Sequence, residues 1–88
     1  MRLCGEFVVR QVMDHTVAVP VGQTALQFNG MILLNDVSKV IWSCLEKGSD
    51  LAAIVAAVTN GFDVPAQEAQ TDILEFLDKL RKLQLLEE

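Results

Sequence analysis

Residues 30–48 read GMILLNDVSKVIWSCLEKG, and this stretch decides how the chain folds. One short apolar strand, residues 31–34, feeds directly into a helix. Asn35 or Asp36 stands at the junction, where a short polar side chain accepts the first free helical N–H groups. Val37, Val40, Ile41, Cys44 and Leu45 then recur at helical spacing and form one apolar stripe. Trp42 falls off that stripe and reads as a half-buried rim residue, with an interface anchor as the alternative. Lys47 and Gly48 supply a cation in the last turn and a glycine just past the helix end. A strand joined so abruptly to a helix must leave its sheet at once, so its outer edge is expected to stay unpaired.

Upstream, residues 1–5 are a short lead-in. Residues 6–13, EFVVRQVM, carry Phe7, Val8, Val9 and Val12, aromatic and β-branched residues that favour a strand. Asp14-His15 suits a tight turn, and residues 16–21 form a second strand with Val17, Val19 and Val21 on one face. Pro20, lacking an N–H, marks that strand's end or an edge position. The two runs should pair as an antiparallel hairpin. Residues 22–30 read as a polar loop, with one further extended stretch around residues 25–28.

Downstream, Ser49 is expected to cap a second helix over residues 50–59, with Asp50 at its positive end. Leu51, Ile54, Val55 and Val58 form its buried stripe, and Asn60-Gly61 stops it. Pro65 suits the first turn of a third helix, residues 65–82. That helix carries Glu68, Asp72 and Glu75 early and Lys79, Arg81 and Lys82 late, in agreement with its dipole. Leu85 and Leu86 should cover its end. The order strand, strand, strand, helix, helix, helix predicts an α+β, winged-helix-like domain. A three-stranded antiparallel sheet is followed by a three-helix bundle, in one domain over residues 1–88.

The composition narrows the function classes. Of 88 residues, 51% are hydrophobic, enough for a packed core without disulfides or metal. A formal charge of −5 and a pI near 4.7 argue against a phosphate-binding surface, which needs clustered Lys and Arg. Cys4 and Cys44 do not make a secreted disulfide framework. The first residues lack a charged n-region followed by an apolar run, so no signal peptide is expected, and no apolar run approaches the roughly 20 residues needed to cross a bilayer. A cytoplasmic protein with no membrane or nucleic-acid partner is expected.

Two lines run along the third helix. Ala69, Ile73, Leu77 and Leu80 recur at spacings of four, four and three, enough to pack it. Asp72, Phe76, Lys79 and Leu83 run beside them, and Phe76 and Leu83 are apolar residues that the core does not require. One explanation is a wide apolar face in a small domain. The other is a groove whose second wall is the strand of residues 31–34, where Ile32 and Leu34 alternate inward and Met31 and Leu33 outward. Such a groove suits an extended peptide that adds a strand to the sheet. Edges are normally guarded by Lys, Pro or a bulge, and MILL contains no Lys or Pro.

No catalytic, cofactor or metal site is expected. His15, the only histidine, has no second ligand at metal spacing. Ser38, Ser43 and Ser49 lack a His-and-acid constellation. Gly22, Gly30, Gly48 and Gly61 form no phosphate-cradling loop. Asp72, Glu75 and Asp78 make an acidic helix face and nothing more.

LNDVSKVIWSCLEKG, then SDLAAIVAAV, then FDVPAQEAQTDILEFLDKLRKLQLL resemble the PqqD family (pyrroloquinoline quinone biosynthesis protein D). The shared features fall on Leu34-Asn35, Gly48, Phe62-Asp63-Val64, Asp72-Ile73, Phe76-Leu77, Leu80 and Leu85-Leu86. Members often have glycine where this chain has Gln84, and residues 22–30 fit the outline poorly. The resemblance implies a RiPP recognition element, a peptide chaperone without catalysis of its own. Such a protein holds the leader of a ribosomally made precursor and presents it to a maturase, commonly a radical SAM enzyme. It implies a peptide site at Met31, Ile32, Leu33 and Leu34 with Asp72, Phe76, Lys79 and Leu83. Arg10 and Asp72 match charged positions of the family; either they pair and fix the third helix against the first strand, or each is a solvated charge. Two rivals stand beside this reading. One is a winged-helix DNA-binding regulator, although residues 52–58 contain no Lys or Arg. The other is a structural subunit that forms a homodimer through its edge strand.

Overall fold

β-Branched residues crowd the first third of the chain and extended backbone follows from them. A computed structural model describes all of residues 1–88. Its elements are β1 (Arg2–Leu3), β2 (Phe7–Val12), β3 (His15–Pro20), α1 (Gln23–Gln27), β4 (Ile32–Leu34), α2 (Asp36–Lys47), α3 (Leu51–Gly61), α4 (Ala66–Lys82) and β5 (Leu86–Glu87). The class is α+β, with a three-stranded antiparallel sheet ahead of three long helices. The chain divides into two compact units, one of residues 5–36 and one of residues 1–4 with 37–88.

The first unit holds the sheet, in the order β2-β3-β4. Phe7 lies opposite Pro20 and Val12 opposite His15, so the hairpin turns on Met13-Asp14 rather than Asp14-His15. Met13 takes φ 55°, a value normally left to glycine, and is 89% exposed. In the central strand β3, Val17 and Ala18 point to opposite faces and both are buried. Val19 and Val21 are half-buried, so the stripe of three valines is narrower than expected.

Residues 23–27 form a short helix, not an extended stretch. Its anchor is Thr24, buried, whose Oγ1 accepts from the Glu6 amide at 2.7 Å. Gly5, at φ +95°, permits this approach, since a Cβ there would lie 2.8 Å from Thr24 Oγ1. Phe28 then meets Phe7 edge-on, ring centroids 5.9 Å apart. These contacts link positions far apart in sequence, so periodicity within residues 22–30 did not reveal them.

The second unit holds the helices. In α2 the buried residues are Ser38, Ile41, Trp42 and Leu45, spaced i, i+3, i+4, i+7. Trp42 is thus core, 1% exposed, and not a rim residue. Burying so large a ring outweighs burying Val37, Val40 or Cys44, which end half-buried on the flank. Gly48 closes the helix at φ +83°, its amide donating to the Leu45 carbonyl.

Asp50, not Ser49, caps α3: its side chain accepts from the Ala53 amide at 2.8 Å. The Ser49 hydroxyl instead donates back to the Cys44 carbonyl at 3.1 Å. Ile54 and Val58 of α3 and Ala69, Ile73, Leu77 and Leu80 of α4 are buried, the last four as the spacing predicts. Each fully buried Leu or Ile contributes roughly 1.5–3 kcal/mol relative to exposure. The lead-in is not idle either. β1 pairs antiparallel with β5, Leu3 opposite Leu86, and Met1 and Ser49 exchange hydrogen bonds of 2.8 and 2.9 Å.

Candidate functional site

β4 is short because Gly30, at φ +124°, precedes it and a helix follows at Asp36. Within it, the alternation is as expected. Ile32 and Leu34 are 3% and 4% exposed, whereas Met31 and Leu33 are 60% and 58% exposed. Its inner edge pairs with β3, and no strand follows it in the sheet. The opposite end of the sheet is β2, where the Arg10 guanidinium reaches the Val9 carbonyl at 3.4 Å. Such a cation is a usual guard of a sheet edge. The significance of Arg10 was hidden in the sequence because it depends on which carbonyls face outward.

The remaining expected site residues lie on α4, in the other unit. Asp72 and Lys79 are exposed, Phe76 is half-buried and Leu83 is 38% exposed. Their spacing keeps them on one flank, beside the buried line of Ala69, Ile73, Leu77 and Leu80. Leu83 ends the helix, its amide donating to the Lys79 carbonyl at 3.2 Å. Two of the three cations in the last turns are engaged locally. Lys82 meets Asp78 at 3.1 Å, and Arg81 grips Glu88 through two bonds of 3.0 and 2.8 Å. The Glu88 carboxyl is held below its ordinary range, first by the hydrogen bond from Arg81 and then by that residue's charge. Lys79 has no ion-pair partner; Arg10 lies in the first unit and Asp72 in the second.

Other chemistry is sparse. Cys4 and Cys44 are free thiols, each half-buried. No three His, Cys, Asp or Glu side chains gather to hold a metal. No helix is long and apolar enough to cross a membrane. The outer residues of α3 include Ala52, Ala53 and Ala56, and the helix has no basic residue with which to read DNA.

Comparison with curated proteins returned no match. Among solved structures, the chain is similar to TbiB1 in complex with the TbiA(beta) leader peptide. The two are 26% identical, with a TM-score of 0.74, over 99% of this chain and 95% of that one. A family model described as Coenzyme PQQ synthesis protein D (PqqD) matches residues 10–86. With so much of its length matched, the chain belongs to the PqqD family.

Proposed function

We propose that residues 1–88 act as one peptide-binding domain, a RiPP recognition element that carries the leader of a ribosomally made precursor. The leader adds to the free edge of β4 as an antiparallel strand, and Asp72, Phe76, Lys79 and Leu83 on α4 are further peptide-binding residues of this reading. The domain supplies no catalytic group or cofactor. It presents the substrate to a maturase, of radical SAM type in the reading the family favours, inside the cytoplasm.

One observation carries this reading: β4 ends the sheet with Met31 and Leu33 largely exposed beside buried Ile32 and Leu34. Exposed apolar residues on an unguarded edge are an aggregation hazard unless another chain covers them. The likeness to TbiB1, solved with a leader peptide, supports a peptide as that chain. Strand addition draws affinity from main-chain bonds and specificity from alternate side chains. Lys79 offers a free cation for an acidic leader residue.

The test is calorimetric titration of the chain with candidate ribosomal precursor peptides, then with the same precursors lacking their leaders. Saturable binding that disappears with the leader is expected. Equal binding of both forms, or of neither, would refute the proposal. The enzyme partner is tested separately, by whether the chain raises turnover of a radical SAM enzyme on the full precursor.

A further inference from the structure

In an antiparallel ladder, opposite residues alternate between pairs that exchange both main-chain bonds and pairs whose groups point away. The Val21 amide donates to the Glu6 carbonyl at 3.0 Å, and these two continue the register Phe7 opposite Pro20. Glu6–Val21 is therefore a bonded pair and Phe7–Pro20 a non-bonded one, which accommodates a proline without N–H. Counting onward, Val8–Val19, Arg10–Val17 and Val12–His15 exchange bonds. Thr16 and Ala18 of β3 are left to face β4, where they lie opposite Leu34 and Ile32. Val17–Leu33 is the non-bonded pair between them. The N–H and C=O of Leu33 consequently point out of the sheet, on its free side.

The same count turns Val9 outward on β2, and that carbonyl is the one Arg10 covers. The sheet thus has one guarded edge and one open edge. On the open edge, side chains and main chain are locked in phase. Leu33 presents its main chain outward while its side chain stands on the exposed face. Ile32 and Leu34 turn their main chain inward and their side chains to the buried face.

Resting on the function proposed above, we infer that the bound peptide, added antiparallel to β4, places one residue opposite Leu33 in a doubly hydrogen-bonded pair. That residue must carry an unsubstituted main-chain N–H. The recognised segment therefore excludes proline, N-alkylated and backbone-heterocyclic residues at this position. It accepts them one residue to either side, where the peptide's N–H groups point away from β4. Those flanking positions instead carry apolar side chains, which fall on the face of Ile32 and Leu34. The central position supplies affinity and its neighbours supply specificity.

The test uses a linear decapeptide selected by display from a random library against the intact chain, resynthesised with N-methylation at each position in turn. Losing one bonded N–H is expected to weaken binding about tenfold at a single central position, with both neighbours little changed. On the protein, Leu33→Pro should fold normally, since its N–H makes no ladder bond, yet lose the peptide. Ile32→Pro should lose stability. If Leu33→Pro fails to fold, an amide-to-ester replacement at Leu33 removes the same donor and should weaken binding in the same way. A flat N-methyl profile, or full binding by either Leu33 variant, would overturn the inference while leaving peptide binding itself intact. Failure to select any peptide would instead sink the functional reading.

Discussion

The Leu85 amide donates to the Leu80 carbonyl at 2.9 Å, across a residue, Gln84, held at φ +61°. With the Gln84 amide on the Arg81 carbonyl at 2.9 Å, these bonds complete a Schellman cap on α4. Leu80 and Leu85 are both buried, the apolar contact that accompanies such caps. A left-handed φ is one that glycine adopts without steric cost, whereas glutamine does not. Gln84→Gly should therefore stabilise the chain by about 1 kcal/mol, raising Tm by roughly 4–8 °C. Thermal unfolding followed by circular dichroism checks this, and an unchanged or lower Tm would contradict it.

Gly5 and Thr24 depend on each other. Gly5→Ala places a Cβ 2.8 Å from Thr24 Oγ1 at a φ of +95° and should cost about 2 kcal/mol or more. Thr24→Val keeps the shape but orphans the Glu6 amide, costing roughly 1–3 kcal/mol. Chemical denaturation of the two single variants and the double variant should show non-additive losses.

Trp42 is expected to behave as core. Trp42→Ala should destabilise by about 3–5 kcal/mol. As the only tryptophan, Trp42 should emit at short wavelength in the native state and resist quenching by acrylamide. Red-shifted native emission would contradict its burial.

The Arg81–Glu88 pair predicts a pH effect of defined sign. Arg81 lowers the Glu88 carboxyl pKa in the folded state. The pair's contribution is therefore present above the ordinary glutamate range and is lost as pH falls through the lowered folded value. Side-chain NMR titration should show Glu88 moving back up in Arg81→Gln. The two proteins should converge in stability in acid.

Lys79→Glu should weaken leader binding and reduce its salt dependence without changing Tm, because Lys79 makes no ion pair within the chain. Affinity measured at two ionic strengths distinguishes this from a loss of fold.

How far the sequence could be read follows from the range of the interactions involved. The β4–α2 junction and the four buried positions of α4 were legible because period-two and helical spacing are local signals. Trp42 is core although it lies off the more regular stripe, because two apolar stripes overlap on α2 and side-chain volume decides between them. Ser49 and Asp50 are adjacent and both able to cap, so their roles depended on which carbonyl Ser49 reached. The β1–β5 pairing joins the two ends of the chain, and Thr24 answers an amide 18 residues away. Neither leaves a periodic trace. Of the candidate site, the alternation in MILL could be seen in advance. The outward parity of Leu33 required the register of β3.

The central claim is that the free edge of β4 receives a leader strand. Amide hydrogen exchange on the isotopically labelled chain, with and without the precursor leader, tests it most directly. The account predicts that exchange at Leu33 slows at least tenfold when the leader binds, while Val9 on the guarded edge is unchanged. A bound leader that leaves Leu33 exchanging at its free rate would contradict it.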